Sequence, residues 1–238
     1  MPRLLALDAS TSTIHLALVQ GDQVLTQAVA GGAQSSALLL PAVQALLAQA
    51  GLTVRGLDAI GFGRGPGAFT GLRTACSITQ GLALGAGLPV IPLDTLALVA
   101  ESAVAQGAPH ALWAALDARM GEIYAARCVR QPDGRWLQPV PVALWSPAAL
   151  CEAMRHDPAP LAGNAGLVHP ELLLPGAPPA WTGAQPDGAA LAIAVRQAFA
   201  AGAAVDPALA LPLYVRDKVA QTTAERLALR QATIEGAP

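Results

Sequence analysis

The chain has 238 residues, of which 53% are hydrophobic and only 13% charged, with a formal net charge of −2. That length suits one large domain or two smaller ones, and so apolar a composition excludes a disordered tail. The only lysine is Lys218 and no Gly-Lys-Ser or Gly-Lys-Thr occurs, which excludes a P-loop NTPase and leaves too few cations for an independent nucleic-acid binder.

In chain order, the pattern predicts strands over residues 3–8, 14–19 and 24–29, with Asp8 ending the first and a Ser10-Thr11-Ser12-Thr13 turn after it. Asp8 also interrupts the apolar N-terminal run before a signal-peptide core could form. A helix over 36–50 follows, with Ser35 or Ser36 as its N-cap and Gly51 past its end. A short strand over 59–62 leads into a glycine-rich segment and a helix over 70–84, then a strand at Val90-Ile91 and a helix over 95–105. Pro89, Pro92 and Asp94 make the apolar stretch 81–100 a poor membrane span.

The second half repeats this order. Strands over 111–117, 122–129 and 136–142 precede a helix from Ser146-Pro147, a strand over 160–162, Gly163-Asn164-Ala165-Gly166, and a helix over 189–201. Leu5-Ala6-Leu7-Asp8-Ala9 and Ala114-Ala115-Leu116-Asp117-Ala118 align at the start of each half. Both halves read βββαβα, so the expected fold is a duplicated α/β fold of the actin-like, Hsp70-like kind. The expected subdomains are 1–106 and 107–238, with the segment from about 205 packing back on the first.

A strand ending in Asp and turning through hydroxyls can face a second such turn across a cleft. Phosphates would sit on the turns, and the aspartates would hold a hydrated metal ion. The alternative is that Asp8 and Asp117 only accept hydrogen bonds in their own turns. The segment Gly61-Phe62-Gly63-Arg64-Gly65-Pro66-Gly67-Ala68-Phe69-Thr70-Gly71-Leu72-Arg73 opens a helix, so its free N–H groups favour an anion. A tight connection explains it equally well. The candidate nucleotide or anion residues are therefore Asp8, Ser10, Thr11, Arg64, Gly65, Gly67 and Asp117.

The helices over 36–50 and 70–84 are apolar nearly all round, which requires burial in the chain's own core or in a partner. The candidate interface residues are Leu38, Leu40, Pro41, Gln44, Phe69, Thr70, Gly71, Leu72, Arg73, Ala75 and Thr79. Catalytic constellations are scarce. His15, His110, His156 and His169 never stand four apart on a helix, and no Gly-x-Ser-x-Gly elbow occurs. Cys76, Cys128 and Cys151 are too widely spaced for a zinc knuckle and suit a reducing compartment. No catalytic residue and no metal site is expected, and the location expected is the cytosol.

Three segments together resemble the bacterial TsaB family: Ala6-Leu7-Asp8-Ala9-Ser10-Thr11, residues 63–73, and Leu116-Asp117-Ala118-Arg119-Met120-Gly121-Glu122-Ile123-Tyr124. Leu213-Tyr214-Val215-Arg216 is similar to the family's C-terminal end, whereas residues 131–212 match weakly. The resemblance implies a non-catalytic subunit for forming N6-threonylcarbamoyladenosine at position 37 of tRNAs reading ANN codons. It implies a catalytic paralogue, TsaD, that carries the metal-binding histidines, and an ATPase, TsaE, that joins the pair. tRNA would be met only through the complex, a homodimer is allowed when the chain is alone, and no membrane is involved. No cofactor is required by the chain itself, and ATP or ADP is allowed near the subunit interface. Relatives carry a histidine before the first helix where this chain has Gln34-Ser35-Ser36, so no role passes to that position. The alternatives are an independent actin-like small-molecule kinase or ATPase, and a metallopeptidase, which the histidine spacing disfavours.

Overall fold

The computed structural model describes residues 1–173 and 175–216; Lys218 lies outside them. The first half begins with β1 (Arg3–Asp8), which is buried from Leu4 onward. An unbroken apolar run of that kind marks a strand covered on both faces, and β1 sits mid-sheet. It pairs antiparallel with β2 (Thr13–Gln20) and parallel with β4 (Ala59–Gly65). Strand β3 (Gln23–Ala30) alternates in exposure and forms an edge, and β5 (Val90–Asp94) forms the other, giving the order β3-β2-β1-β4-β5. The second half forms a sheet β8-β7-β6-β9 from β6 (Ala111–Arg119), β7 (Glu122–Arg130), β8 (Trp136–Trp145) and β9 (Leu161–Ala162). The two-subdomain, actin-like order read from the sequence is thus the observed one.

Helices α1 (Ser35–Gln49) and α2 (Phe69–Ala86) cover one face of the first sheet, where Leu39, Val43 and Leu46 pack with Leu5, Leu7 and Phe62. Neither Ser35 nor Ser36 is the N-cap of α1. That position is Gln34, without a side-chain cap, while Ser35 Oγ, already helical, donates back to the Gly32 carbonyl at 2.9 Å. Ser146 does cap α4 (Pro147–His156), accepting from Ala149 N–H at 3.2 Å.

The two halves exchange helices. Helix α3 (Thr95–Ala105) follows β5 in sequence, yet Val99, Ala100 and Ala103 pack against Leu112, Ala114 and Leu116 of β6. Its buried Glu101 accepts from Trp136 Nε1 at 2.8 Å and pairs with Arg130 at 2.9 Å, so its charge is met by the second sheet. On the other face of that sheet, α4 and the single turn α5 (Ala165–Val168) pack on Trp113 and Ile123. Helix α6 (Gly188–Ala200) lays Leu191 and Val195 on Leu4, Ala6 and Ala17 of the first sheet. A Cβ at Gly188 would meet the Thr26 side chain at 2.6 Å, which is why this helix opens on glycine. Its N-cap, Asp187, accepts from Ala190 N–H at 2.9 Å and from Ser102 Oγ of α3 at 2.6 Å, joining the exchanged helices. Among the described residues no helix is long and apolar enough to cross a membrane.

Candidate functional site

The β1–β2 and β6–β7 turns face each other across a cleft of about 320 Å3, to which the start of α2 also contributes. Asp8, the last residue of β1, and Asp117, two residues before the end of β6, are placed differently toward this cleft.

Asp8 is fully buried. Its Oδ1 accepts from Ser10 N–H at 2.7 Å and Ser10 Oγ at 2.6 Å, and its Oδ2 from Thr95 Oγ at 3.0 Å. Burial pushes its carboxyl above the usual carboxylate range, partly offset by the Ser10 and Thr95 bonds and by nearby His15. The glycine-rich segment seals it. A Cβ at Gly63 would overlap the Asp8 carboxylate, and one at Gly71 the Ala9 carbonyl. One at Gly67 would stand 2.5 Å from the Ser10 carbonyl oxygen. Ala68 N–H donates to that same oxygen at 2.7 Å. These glycines let the start of α2 press its backbone onto the first turn.

Three of the expected residues, Asp8, Arg64 and Gly65, do not line this cleft. Asp8 turns inward onto Ser10 and Thr95. Gly65 takes a left-handed φ of +116° and donates inward to Thr95 Oγ at 3.2 Å. Arg64 is half-buried beside Asp94, whose carboxyl burial raises and Arg64 lowers. Ser10, Thr11, Gly67 and Asp117 do line the cleft.

Asp117 keeps contact with the opening. Its N–H donates to Asn164 Oδ1 at 2.9 Å, its Oδ1 accepts from Arg119 N–H at 3.0 Å, and His169 Nε2 stands 3.7 Å away. The turn beyond it is strained: Arg119, Met120 and Gly121 take φ of +65°, +58° and +72°. For the two non-glycine residues this costs about 1 kcal/mol each. Arg216, which also lines the cleft, donates to the Ala118 carbonyl at 3.1 Å and the Arg119 carbonyl at 3.2 Å. Thr95, 87 residues from Asp8, belongs to the site although nothing local in the sequence signals it; Arg216, 98 from Ala118, is marked only as part of the segment similar to the family's C-terminal end.

The candidate interface residues also divide. Leu40, Pro41, Gln44, Thr70 and Arg73 are exposed, and Leu38 and Phe69 half-buried. Gly71, Leu72, Ala75 and Thr79 are buried, because that side of α2 faces its own sheet and α1.

Comparison with known proteins gives consistent matches. Residues 26–138 match the family described as TsaD, tRNA N6-adenosine threonylcarbamoyltransferase. The tRNA threonylcarbamoyladenosine biosynthesis protein TsaB of Haemophilus influenzae is 42% identical over 129 residues, and that of Escherichia coli 37% over 153. These matches cover 54% and 64% of this chain, and 54% and 66% of the relatives' own length. The solved structure of YeaZ from Pseudomonas aeruginosa superposes with a TM-score of 0.79 at 33% identity, covering 90% of this chain and 100% of that one.

Proposed function

The chain belongs to the TsaB family, and from that premise we propose that it is a non-catalytic subunit in the biosynthesis of threonylcarbamoyladenosine in tRNA. In this reading it scaffolds and activates a TsaD-type catalytic paralogue acting at position 37 of tRNAs reading ANN codons. A TsaE-type ATPase joins the pair in the cytoplasm, and tRNA is reached only through the complex.

The observation that carries the reading is the outward face of α1 and α2. In the 15 residues of α1 and the 18 of α2 the only charged side chain is Arg73. Leu40, Pro41 and Ala45 are exposed on α1, and Leu84 is 61% exposed on α2. Such a face is poorly suited to water and carries little desolvation penalty in an interface. A paralogue of the same fold offers the same two helices, giving a pseudo-symmetric four-helix contact that a second copy could also occupy. The match of residues 26–138 to the TsaD family supports paralogy. The sealed Asp8 turn supports a supporting role over an independent kinase or ATPase.

Co-expression with a TsaD-type paralogue tests this. The pair should co-purify as a heterodimer by native mass. Leu40→Glu and Ala45→Glu, which put carboxylates on the outward face and leave the core alone, should abolish it by burying an unpaired charge. If both variants remain folded by circular dichroism and still co-purify at wild-type affinity, the docking surface lies elsewhere. The isolated chain should hydrolyse ATP well below about 1 s⁻¹. It should also show no sub-micromolar, salt-sensitive tRNA binding.

A further inference from the structure

We propose that the C-terminal strap, Leu213 to Arg216, is an intramolecular tie that holds the cleft closed, fastening the β6–β7 turn of one subdomain to the start of α2 in the other. Upstream of the strap, the chain is stitched to the first subdomain. Val205 and Val90 exchange backbone bonds at 2.8 and 2.9 Å, and Gln80 Nε2 donates to the Pro207 carbonyl at 3.0 Å. The Cys76 thiol donates to the Ala210 carbonyl at 2.6 Å. Leu213 N–H then donates to the Arg64 carbonyl at 2.7 Å, where β4 leads into α2. The Tyr214 ring lies 5.4 Å from that of Phe69, and its hydroxyl accepts from Arg73 Nε at 2.9 Å.

Two residues later the anchor changes subdomain. Arg216 reaches the carbonyls of Ala118 and Arg119 together, its Nη1 approaches Met120 Sδ at 3.1 Å, and it pairs with the Glu122 carboxylate. Only 10% of its side chain is exposed. The turn it grips is the left-handed one, and a guanidinium can present several donors to such a turn at once while Glu122 balances its charge. The exchanged helices α3 and α6 also join the subdomains, through apolar packing and through buried polar links such as Glu101 with Trp136 and Arg130 and Asp187 with Ser102. The strap adds directional bonds between the β6–β7 turn and the start of α2, at the opening itself, which is where it would set the separation of Ser10 and Asp117.

The test uses the full chain with spin labels on Ala33→Cys and Leu167→Cys, exposed positions on either side of the cleft; the native thiols are buried. The intact strap should give one narrow distance. Arg216→Ala should lengthen and broaden it, and amide exchange over residues 118–123 should rise about tenfold or more while β1 stays protected. Tyr214→Ala detaches the strap at its other end without touching the turn and should reproduce the broadening. It also keeps the test decisive if Arg216→Ala does not fold. Unchanged distance distributions in the folded variants overturn the proposal, whatever the turn amides do.

Discussion

The two aspartate turns descend from the same local pattern and have become different objects. In the first, a long helix begins against the turn, and glycines at 63, 67 and 71 let backbone meet backbone until Asp8 is sealed. In the second, the following helix α5 is a single turn of four residues. The turn is braced from the side by Asn164 and Arg216, and Asp117 keeps an edge on the cleft. An acid at a strand end is thus not a site by itself. What packs on its turn decides whether it serves chemistry or the core.

The comparison predicts a ranked set of effects. The largest is Gly71→Ala, whose methyl has only the Ala9 carbonyl to displace; the overpacking should cost about 3 kcal/mol, read as a lower urea midpoint. A loss below about 1 kcal/mol would mean that the glycines serve something other than packing.

Next come the aspartates. Asp8→Ala strands Ser10 N–H and the Ser10 and Thr95 hydroxyls in the interior and should cost about 2 kcal/mol. Asp117, whose side chain is 5% exposed, loses on replacement by Ala an ion pair with the 84%-exposed Arg119, one turn hydrogen bond and the approach of His169 at 3.7 Å, so about 1 kcal/mol is expected, less than for Asp8. Equal losses would remove the distinction drawn between the two turns.

A pH series sharpens it further. Burial raises the Asp8 pKa from its ordinary 3.8, so the native state binds the proton more tightly than the unfolded chain. The resulting stability is fully present below the unfolded value and is lost as pH rises through the folded one. Between pH 4 and the folded value, the urea midpoint of Asp8→Asn should therefore fall less than that of the wild type. Parallel curves would show that Asp8 exchanges no proton on folding.

The smallest effect comes from the same helix that seals Asp8. Gly81 and Gly85 are exposed, and a Cβ at either would meet nothing within 4 Å. Gly81→Ala and Gly85→Ala should each stabilise by about 0.5–1 kcal/mol in thermal melts.

Much of this fold was legible because local signals agreed. The buried run of β1, the Ser146 cap and Gly51 in its left-handed conformation past α1 each mark a boundary that the structure keeps. The Ser35 signal failed because the 3-10 turn Gly32–Gln34 runs directly into α1, which places the serine inside the helix. The site was less legible. Glycine density in residues 61–71 read equally as ligand cradle or packing surface; Gly63 and Gly71 pack against Asp8 and Ala9, while Gly67 also lines the cleft. Which sides of α1 and α2 face outward could not be read from helices apolar all round. Thr95 and Arg216 reach the turns from 87 and 98 residues away, and no periodicity encodes such pairings.

The exchange of α3 and α6 also bears on synthesis. The first sheet is complete when β5 leaves the ribosome, yet the helix that covers its second face, Gly188–Ala200, is made almost a hundred residues later. During that interval Leu4, Ala6, Ala17 and Val19 have no permanent cover. The nascent chain therefore holds an apolar surface open until α6 has been made, which ties its yield to elongation speed and chaperone supply as well as to the strength of either half.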